Sequence, residues 1–426
     1  MVWLFGGSAG YALELSRNVK VARIRYNPDF MLRYFTAGES HGEALVALLT
    51  GMPAGLKIEQ AFLDRELWRR QQGYGRGGRM KIERDQAHIL SGVRHGATIG
   101  SPISILLENK DWKNWQESLP VAAGDPAKHK EVKSPRPGHA DLAGALKYNF
   151  REARYVLERA SARESAARVA VGAIAKLLLR ELGIEVLSHV LAVGHAALAN
   201  AEVPWENIRA LADKDEVLLN CADPEAEQRM KAEVDQALRT GDSVGGVFEV
   251  VAHRVPPGLG TYANWDERLD GLLAGAVMSL QAVKAVEIGV GVSAATSPGS
   301  QVHDEIGYSR QKKDDAPPFT GFTRKHNHAG GVEGGISNGE DILVRGYLKP
   351  ISTLRRPLES VDFATREPVK AAYERSDVCV VPAAGVAAES MVALTLARCA
   401  LEKFGGDSVT ETVRNFQGYC RQLQNY

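Results

Sequence analysis

The chain contains little cysteine. Four cysteines occur in 426 residues, and none stands in a CxxC pair or in a group with the spacing of metal ligands. A disulfide framework needs more cysteines at closer spacing, so we expect reduced thiols, as in a cytoplasmic protein. The histidines do not supply a metal site either, because His326 and His328 are too close in sequence to share one face of a helix. The sequence therefore predicts no bound metal.

Net charge and long apolar runs are also absent. The 52 lysines and arginines balance 52 aspartates and glutamates, so no overall field attracts nucleic acid or an anionic membrane. No apolar run approaches the roughly 20 residues of a membrane-spanning helix. Hydrophobic residues make up 44% and charged residues 24% of the chain, which is typical of a soluble globular protein. We expect neither nucleic acid nor a membrane as a partner.

Short strands and helices alternate irregularly along most of the chain. The predicted strands include residues 32–36, 43–50, 184–193, 342–348 and 378–381, and the predicted helices include residues 58–72, 223–240 and 386–404. This order is typical of a layered α+β domain rather than of a regular βαβ series. Because no internal repeat or long linker divides the chain, we expect one large domain over residues 31–426.

The first thirty residues differ from the rest. Their apolar stretch, residues 1–10, comes before the basic residues Lys20, Arg23 and Arg25, which is the reverse of the order in an export signal. A transit peptide is the alternative, although acidic residues and a scarcity of serine argue against it. We expect residues 1–30 to be a disordered N-terminal extension with no part in catalysis.

The most informative stretch is Gly38-Glu39-Ser40-His41-Gly42. The two glycines allow a tight turn that approaches a ligand closely, and His41 can exchange a proton near neutral pH. The stretch also matches the nucleophile elbow G-x-S-x-G of serine hydrolases, with Ser40 as the nucleophile. That class has several strands before its elbow, and here almost nothing precedes it. A serine hydrolase therefore remains only an alternative.

Positive charge is concentrated around a glycine-rich stretch. The basic residues there are Arg65, Arg69, Arg70, Arg76, Arg79, Lys81 and Arg84. The spacing of Gly73, Gly75 and Gly78 matches a dinucleotide-binding fingerprint, but it follows a predicted helix rather than a strand. We interpret the stretch as a basic lid over a phosphorylated substrate, because arginine binds phosphate and carboxylate groups with two hydrogen bonds. A solvated basic helix end is the alternative.

A second histidine lies beside a glycine in Arg136-Pro137-Gly138-His139. Two such histidines together with several arginines suit an enzyme that moves protons beside a phosphate group. Further along, Lys349-Pro350-Ile351-Ser352-Thr353 ends a predicted strand with a cation, a fixed turn and two hydroxyl groups, which could cradle an anion. From these patterns alone, a phosphate-binding protein without catalytic activity also remains possible.

Taken together, the motifs resemble those of the chorismate synthase family. They are GESHG at residues 38–42, RPGHAD at 136–141, RASARES at 159–165, NHAGG at 327–331, KPIST at 349–353 and RSDVCVVPA at 375–383. They occur in the family's order, and the match extends from Met31 to about Ala400. Several separate motifs in one order are far more specific than any one of them.

The resemblance implies a layered β-α-β sandwich and a phosphate lyase. Chorismate synthases of this type eliminate phosphate from 5-enolpyruvylshikimate 3-phosphate to give chorismate, and they need reduced FMN although the reaction has no net redox change. The resemblance also implies a cytoplasmic homotetramer of the monofunctional kind. Such an enzyme takes reduced FMN from an external flavin reductase or another reductant, so NADPH is at most a source of reducing equivalents. A flavin-dependent net oxidoreductase is a further alternative.

The resemblance also assigns residue roles. It implies that His41 is the acid that assists phosphate departure, that His139 stabilises the reduced flavin, and that Asp377 accepts a proton near flavin N5. The implied substrate-binding residues are Ser40, Arg70, Arg76 and Arg136. The implied FMN-binding residues are Arg159, Ala160, Ser161, Gln281, Ala282, Gly334, Lys349, Pro350, Ile351, Ser352, Thr353 and Arg375. Ile351 replaces the family's usual hydroxyl residue, so only a backbone contact would survive there.

Overall fold

A computed structural model describes residues 32–77, 84–200, 202–309, 320–374 and 377–426. Residues 1–30 and Arg375, which figure in the expectations above, lie outside these ranges. The helices are α1 (Gln60–Gln71), α2 (Asp141–Tyr148), α3 (Arg154–Ala160), α4 (Ser165–Glu181), α5 (Trp205–Ala212), α6 (Pro224–Thr240), α7 (Leu269–Met278), α8 (Gly299–Val302), α9 (Val381–Phe404) and α10 (Val409–Gln424).

Two antiparallel sheets contain the longer strands. The strands are β1 (Arg33–Ala37), β2 (Ala44–Thr50), β3 (His88–Ile89), β4 (Val93–Arg94), β5 (Ala97–Thr98), β6 (Ile103–Glu108), β7 (Glu185–Val193), β8 (Ala196–Ala197), β9 (Gly246–His253), β10 (Val283–Ile288), β11 (Ile306–Tyr308), β12 (Phe322–Arg324), β13 (Val332–Glu333), β14 (Ile336–Ser337), β15 (Ile342–Leu348), β16 (Glu359–Val361) and β17 (Pro368–Lys370). The first sheet has the order β1-β2-β6-β3 and the second β10-β15-β9-β7-β8. Buried and half-buried residues alternate along β2 and β15, so each sheet buries one face.

Helices fill the space between the two sheets. Of the 17 residues of α4, 14 are buried, and of the 24 residues of α9, 19 are buried. A helix that is buried on nearly every side must be apolar in nearly every direction. Helix α4 packs against β2 and β6 of the first sheet, α9 packs against β7 and β9 of the second, and the two helices pack on each other. The result is a β-α-β sandwich, which confirms the expected layered α+β fold.

Small residues let the central helices approach closely. A Cβ atom on Gly172 of α4 would lie 2.2 Å from the Cβ of Ser390 on α9. A Cβ atom on Gly385 would lie 2.8 Å from the Oγ of Ser188 on β7. Both distances are too short for any larger side chain, so the sequence of α9 is matched to α4 on one side and to the sheet on the other.

Helix α9 also corrects two expectations. It begins at Val381 rather than at residue 386, with Pro382 in its first turn, so the strand predicted over residues 378–381 is wrong. The run of β-branched residues there suggested a strand, but proline favours the first turn of a helix. By length and composition α9 could cross a membrane, whereas the sequence predicted no apolar run of that length. In the described protein 83% of its most apolar window is buried, which is typical of a core helix.

A cluster of buried charges joins α1, α4 and α9. Two carboxylates, Glu66 and Glu389, face two cations, Arg69 and Lys176. Arg69 donates two hydrogen bonds to Glu389 at 2.7 and 2.8 Å, and Ser188 donates another at 2.5 Å. Burial alone would raise the pKa of Glu66, but Arg69 and Lys176 lower it to about 2. The cluster is therefore a neutral, fully paired set, which is the condition for burying charges without a large penalty.

The cluster predicts a specific pattern of stability losses. Glu389→Gln should lower the free energy of unfolding by about 3–5 kcal/mol, because two buried cations would then face one carboxylate. Lys176→Met should lower the free energy of unfolding by a similar amount, because two buried carboxylates would then face one cation. In the double variant the charges balance again, so the loss should be smaller than the sum of the two single losses. Urea unfolding followed by circular dichroism measures all three values, and strictly additive losses would contradict the coupling.

Candidate active site

The GESHG stretch is the turn between strands β1 and β2. Gly38 has a φ angle of +101°, and a Cβ atom there would lie 2.4 Å from the carbonyl oxygen of Ala44, so the turn needs glycine. Because the stretch joins two antiparallel strands, it is not the strand–turn–helix of a nucleophile elbow. The serine hydrolase alternative is therefore wrong.

The carboxylate of Glu158 holds His41 at this turn. Glu158, on α3, is 2% exposed. Its Oε1 lies 2.8 Å from Nδ1 of His41, and its Oε2 accepts the backbone N–H of His41 at 2.7 Å. One side chain thus binds both the ring and the backbone of the same histidine.

An aromatic residue covers the ring of His41. Trp115 stacks on the imidazole with 4.1 Å between ring centroids. On the same indole, the Nζ atom of Lys130 lies 3.9 Å from the ring centroid and the guanidinium of Arg154 lies 5.1 Å away. Trp115 and Lys130 belong to the long polar segment 110–135 of the sequence, which therefore packs over the histidine.

The RASARES motif meets the same turn from another side. Ser161 Oγ donates a hydrogen bond to Ser40 Oγ at 3.1 Å. The guanidinium of Arg159 donates to the carbonyl oxygen and the hydroxyl group of Thr36, both at 2.9 Å. The structure thus brings together Ser40, His41, Arg159 and Ser161, which the sequence places about 120 residues apart.

Two buried arginines share one carboxylate behind the turn. Arg70 and Arg163 each lie 2.7 Å from Asp85. Burial, together with the nearby cations Arg163 and Arg76, lowers the pKa of Arg70 to about 10 although Asp85 opposes the shift. The Nε atom of Arg70 is buried without a hydrogen-bond partner. This arginine group, made of Arg70, Arg163 and Asp85, therefore carries more positive than negative charge. The excess positive charge favours the binding of an additional anion.

Arg70 does not belong to an exposed lid, contrary to the expectation. It lies in the last turn of α1 and is 4% exposed. Arg69 and Arg70 of α1 point into the protein, where their carboxylate partners Glu389 and Asp85 lie, whereas the sequence shows only their charge. Arg70 can still act on a bound anion through the charge of the buried group. Within the described part of the glycine-rich stretch, the arginine that can contact a substrate is Arg76.

An amide links this arginine group to the GESHG turn. Arg163 Nε donates to the side-chain oxygen of Asn109 at 2.9 Å. The amide nitrogen of Asn109 donates to the carbonyl oxygens of Glu39 and Gly42 at 3.1 and 2.8 Å. The position of the His41 turn is therefore coupled to the position of Arg163.

Arg76 pairs with the predicted proton acceptor. Its Nη1 atom lies 3.0 Å from Oδ2 of Asp377, and the backbone N–H of Gly77 donates to Oδ1 at 2.5 Å. Gly75 lies beside this pair with a φ angle of +81°, and a Cβ atom on it would be 2.7 Å from Val234. The described part of the glycine-rich stretch therefore lies against the segment that carries Asp377.

His139 belongs to a second cluster of polar residues. Its Nδ1 atom lies 2.5 Å from Oδ1 of Asp141, and Arg136 Nε lies 2.8 Å from Oδ2. Arg136 also donates to the hydroxyl group of Thr353 at 3.0 Å. Burial alone would raise the pKa of Asp141, but hydrogen bonds from His139 and Arg136 hold it well below its usual range. Arg136 is thus tied to the RPGHAD motif itself, and it is 7% exposed.

The KPIST segment lies beside the RPGHAD motif. The ammonium group of Lys349 lies 3.8 Å from where a Cβ atom on Gly138 would be. Burial and the neighbouring cation Lys284 lower the pKa of Lys349. Two adjacent cations in a partly buried place favour an anion between them. The carbonyl oxygen of Ile351 accepts a hydrogen bond from Ser243 at 2.6 Å, so this residue is held through its backbone.

A strained residue connects the two groups of site residues. Ala282 has a φ angle of +69°, which is rare without a glycine and is often found at functional sites. Its carbonyl oxygen accepts the backbone N–H of Lys349 at 3.0 Å. Its neighbour Gln281 donates to Glu164 of the RASARES motif at 3.1 Å. Gly334 lies apart from these contacts, in the turn between strands β13 and β14.

Comparisons with known proteins identify the family of this chain. A family model described as chorismate synthase matches residues 32–401. The chain belongs to the chorismate synthase family. A chorismate synthase of Koribacter versatilis is 78% identical over 396 residues, which are 93% of this chain and all of the relative. A chorismate synthase of Acidobacterium capsulatum is 69% identical over the same lengths. A solved chorismate synthase crystal structure has a TM-score of 0.72 and 39% identity, and covers 93% of this chain and 99% of that one.

Membership of the family confirms the predicted activity. The chain is a lyase of the shikimate pathway that forms chorismate from 5-enolpyruvylshikimate 3-phosphate with release of phosphate. The net oxidoreductase and the binding protein without activity are therefore set aside as main functions. The family assignment does not by itself give the role of each residue, for which the contacts described above are the basis.

Sequence reasoning missed the carboxylates that hold the predicted site residues. These are Asp85, Asp141 and Glu158, together with Asn109 and Trp115. Asp141 is the last residue of the RPGHAD motif and Glu158 directly precedes the RASARES motif, so adjacency to a motif was a usable signal. Asp85 and Asn109 gave no signal, because their partners lie on other elements of the fold.

Proposed function

We propose that the residues around His41 and His139 carry out the family's 1,4-elimination with reduced FMN as the cofactor. The observation that carries the proposal is the juxtaposition of a carboxylate-bound histidine, His41, with an arginine group of excess positive charge. Departure of a phosphate needs a proton donor and cations at the same place. Asn109 joins the two parts through hydrogen bonds to Arg163 and to the His41 turn.

The residues present fit a reduced flavin. Lys349 and Lys284 offer uncompensated positive charge beside the strained Ala282, which suits the phosphate of FMN. The residues proposed to hold the cofactor are Arg159, Ala160, Ser161, Gln281, Ala282, Gly334, Lys349, Pro350, Ile351, Ser352, Thr353 and Arg375. When bound, reduced FMN supplies electron density to the substrate while phosphate leaves. The carbonyl oxygen of Ile351 already accepts a hydrogen bond from Ser243, so Ile351 would contribute to FMN binding through the shape of its backbone.

His41 is proposed to donate a proton to the departing phosphate. Its Nδ1 atom is occupied by Glu158, so the transferred proton is the one on Nε2. Arg76, Arg136 and Ser40 are proposed to bind the substrate's anionic groups, and the nearby charge of Arg70 acts together with that of Arg76. His139, held through Nδ1 by Asp141, is proposed to offer positive charge to the reduced cofactor.

Asp377 is proposed to accept the proton that resets the cofactor. Its pairing with Arg76 supports a place at the edge of the substrate site. A carboxylate there would repel the substrate phosphate, so it has no use in binding phosphate. We further propose a cytoplasmic homotetramer that depends on an external flavin reductase or another reductant, with NADPH only as the source of electrons.

The reaction can be tested with chemically reduced FMN under anaerobic conditions. We expect chorismate and inorganic phosphate in equal amounts, with no NAD(P)H consumed, because the elimination has no net redox change. With oxidised FMN the same protein should form no product. Consumption of a nicotinamide cofactor in proportion to the product would instead indicate a net oxidoreductase and contradict the proposal.

His41→Ala should lower the turnover rate by about 10²–10⁴-fold, the usual range for loss of a general acid. Binding of the substrate and of FMN should change much less, since His41 acts on the leaving group. The measurement is single-turnover kinetics with pre-reduced FMN, together with equilibrium titrations of both ligands. Near-normal turnover at neutral pH would exclude His41 as the acid.

Asp377→Asn and Arg76→Gln break the same ion pair and should give opposite kinetic results. The Asn variant should lose turnover with an unchanged or slightly lower KM, because it removes a proton acceptor and releases Arg76. The Gln variant should raise KM and make binding less sensitive to salt, because it removes an attractive charge at the substrate site. Steady-state rates at two ionic strengths separate the cases. If both variants change only KM, Asp377 merely positions Arg76.

A further inference from the structure

We propose that Glu158 is a positioning residue for His41, which fixes the orientation of its ring. This inference rests on the proposed role of His41 as the acid. Glu158 binds Nδ1 of the ring at 2.8 Å and the backbone N–H of the same residue at 2.7 Å. Because both ends of His41 are bound by one carboxylate, the ring cannot rotate without losing a hydrogen bond.

The contact also decides which ring nitrogen can serve the substrate. A carboxylate accepts hydrogen bonds and donates none, so Nδ1 of His41 must carry a hydrogen. The proton exchanged with a substrate is then the one on Nε2. Trp115 stacks on the face of the ring at 4.1 Å and blocks tilting, so the direction of Nε2 is fixed by Glu158 and Trp115 together.

Glu158 remains ionised in its buried position. Burial alone would raise the pKa of Glu158, but hydrogen bonds and charge from His41, together with the charge of Arg154, lower it. An ionised carboxylate can only accept a hydrogen bond, so it holds the imidazole with the N–H of Nδ1 toward it.

The other charged groups around the histidine lie one step further away. Arg154 Nη1 lies 3.3 Å from Glu158 on the same helix, and Arg154 also pairs with Glu374 at 2.8 Å. From the segment that covers the ring, Lys130 reaches Trp115. Among the described residues, Glu158 contacts His41 directly, whereas Glu374 contacts Arg154. This difference supplies a matched control.

Glu158→Gln keeps the size of the side chain and removes its charge. We expect turnover to fall by about 10–100-fold, the range known for carboxylates that orient a functional histidine, with little change in KM. Because KM is preserved, the loss lies in the chemical step rather than in binding. Glu158→Asp keeps a carboxylate that can accept from Nδ1, so it should retain more turnover than Glu158→Gln.

Glu374→Gln is the control, because it breaks an ion pair of Arg154 without touching His41. It should leave turnover nearly unchanged, and thermal melting of both Gln variants shows whether either one fails to fold. If Glu158→Gln and Glu374→Gln lower turnover to the same extent, the role of Glu158 is only to bind Arg154 and the proposal is overturned.

A double variant separates this inference from the role of His41. In a His41→Ala background, Glu158→Gln should cause no further loss of turnover, because its target is missing. An equal further loss would show that Glu158 acts elsewhere and would overturn the positioning role. If His41→Ala alone were fully active, the proposed acid would be wrong, and that result is visible without any variant of Glu158.

Discussion

The ion-pair cluster around Glu389 is the constraint on which the site depends. It joins α1, α4 and α9 through Arg69, Lys176 and the carboxylate itself. Each of these helices has an end at the site. Helix α1 ends just before the glycine-rich stretch, α4 begins at the last residue of the RASARES motif, and α9 begins four residues after Asp377. A shift of one helix would break buried charge pairs, so the three ends keep fixed positions relative to one another.

Around this frame the same physical device recurs: a buried carboxylate holds a cation or a histidine in one orientation. Asp85 holds two arginines, Asp141 holds Arg136 and His139, and Glu158 holds His41. Burial alone would favour the neutral acids, but their positive partners lower the pKa of each carboxyl group. The cations are thus oriented before a ligand arrives, which reduces the reorganisation needed when an anion binds.

The sequence predicted the layered α+β fold and most of the longer elements, because apolar periodicity and glycine stops are local signals. It failed at residues 378–381, where a β-branched run precedes a proline that begins α9. It identified the motif residues but not their partners. Arg69 pairs with Glu389 across 320 positions and Ser40 with Ser161 across 121, and no local pattern reports such contacts. Arg70 illustrates the difference, since its charge was visible and its burial was not.

Under the proposed roles, one arginine serves two anions in turn. Arg76 lies 3.0 Å from Asp377 in the structure. A substrate phosphate carries more negative charge than one carboxylate and accepts two hydrogen bonds from a guanidinium, so it competes well for Arg76. Asp377 therefore holds Arg76 in place in the absence of substrate, and the substrate phosphate takes over the guanidinium when it binds. The exchange leaves the carboxylate of Asp377 beside the bound substrate, where the proposed roles require a proton acceptor.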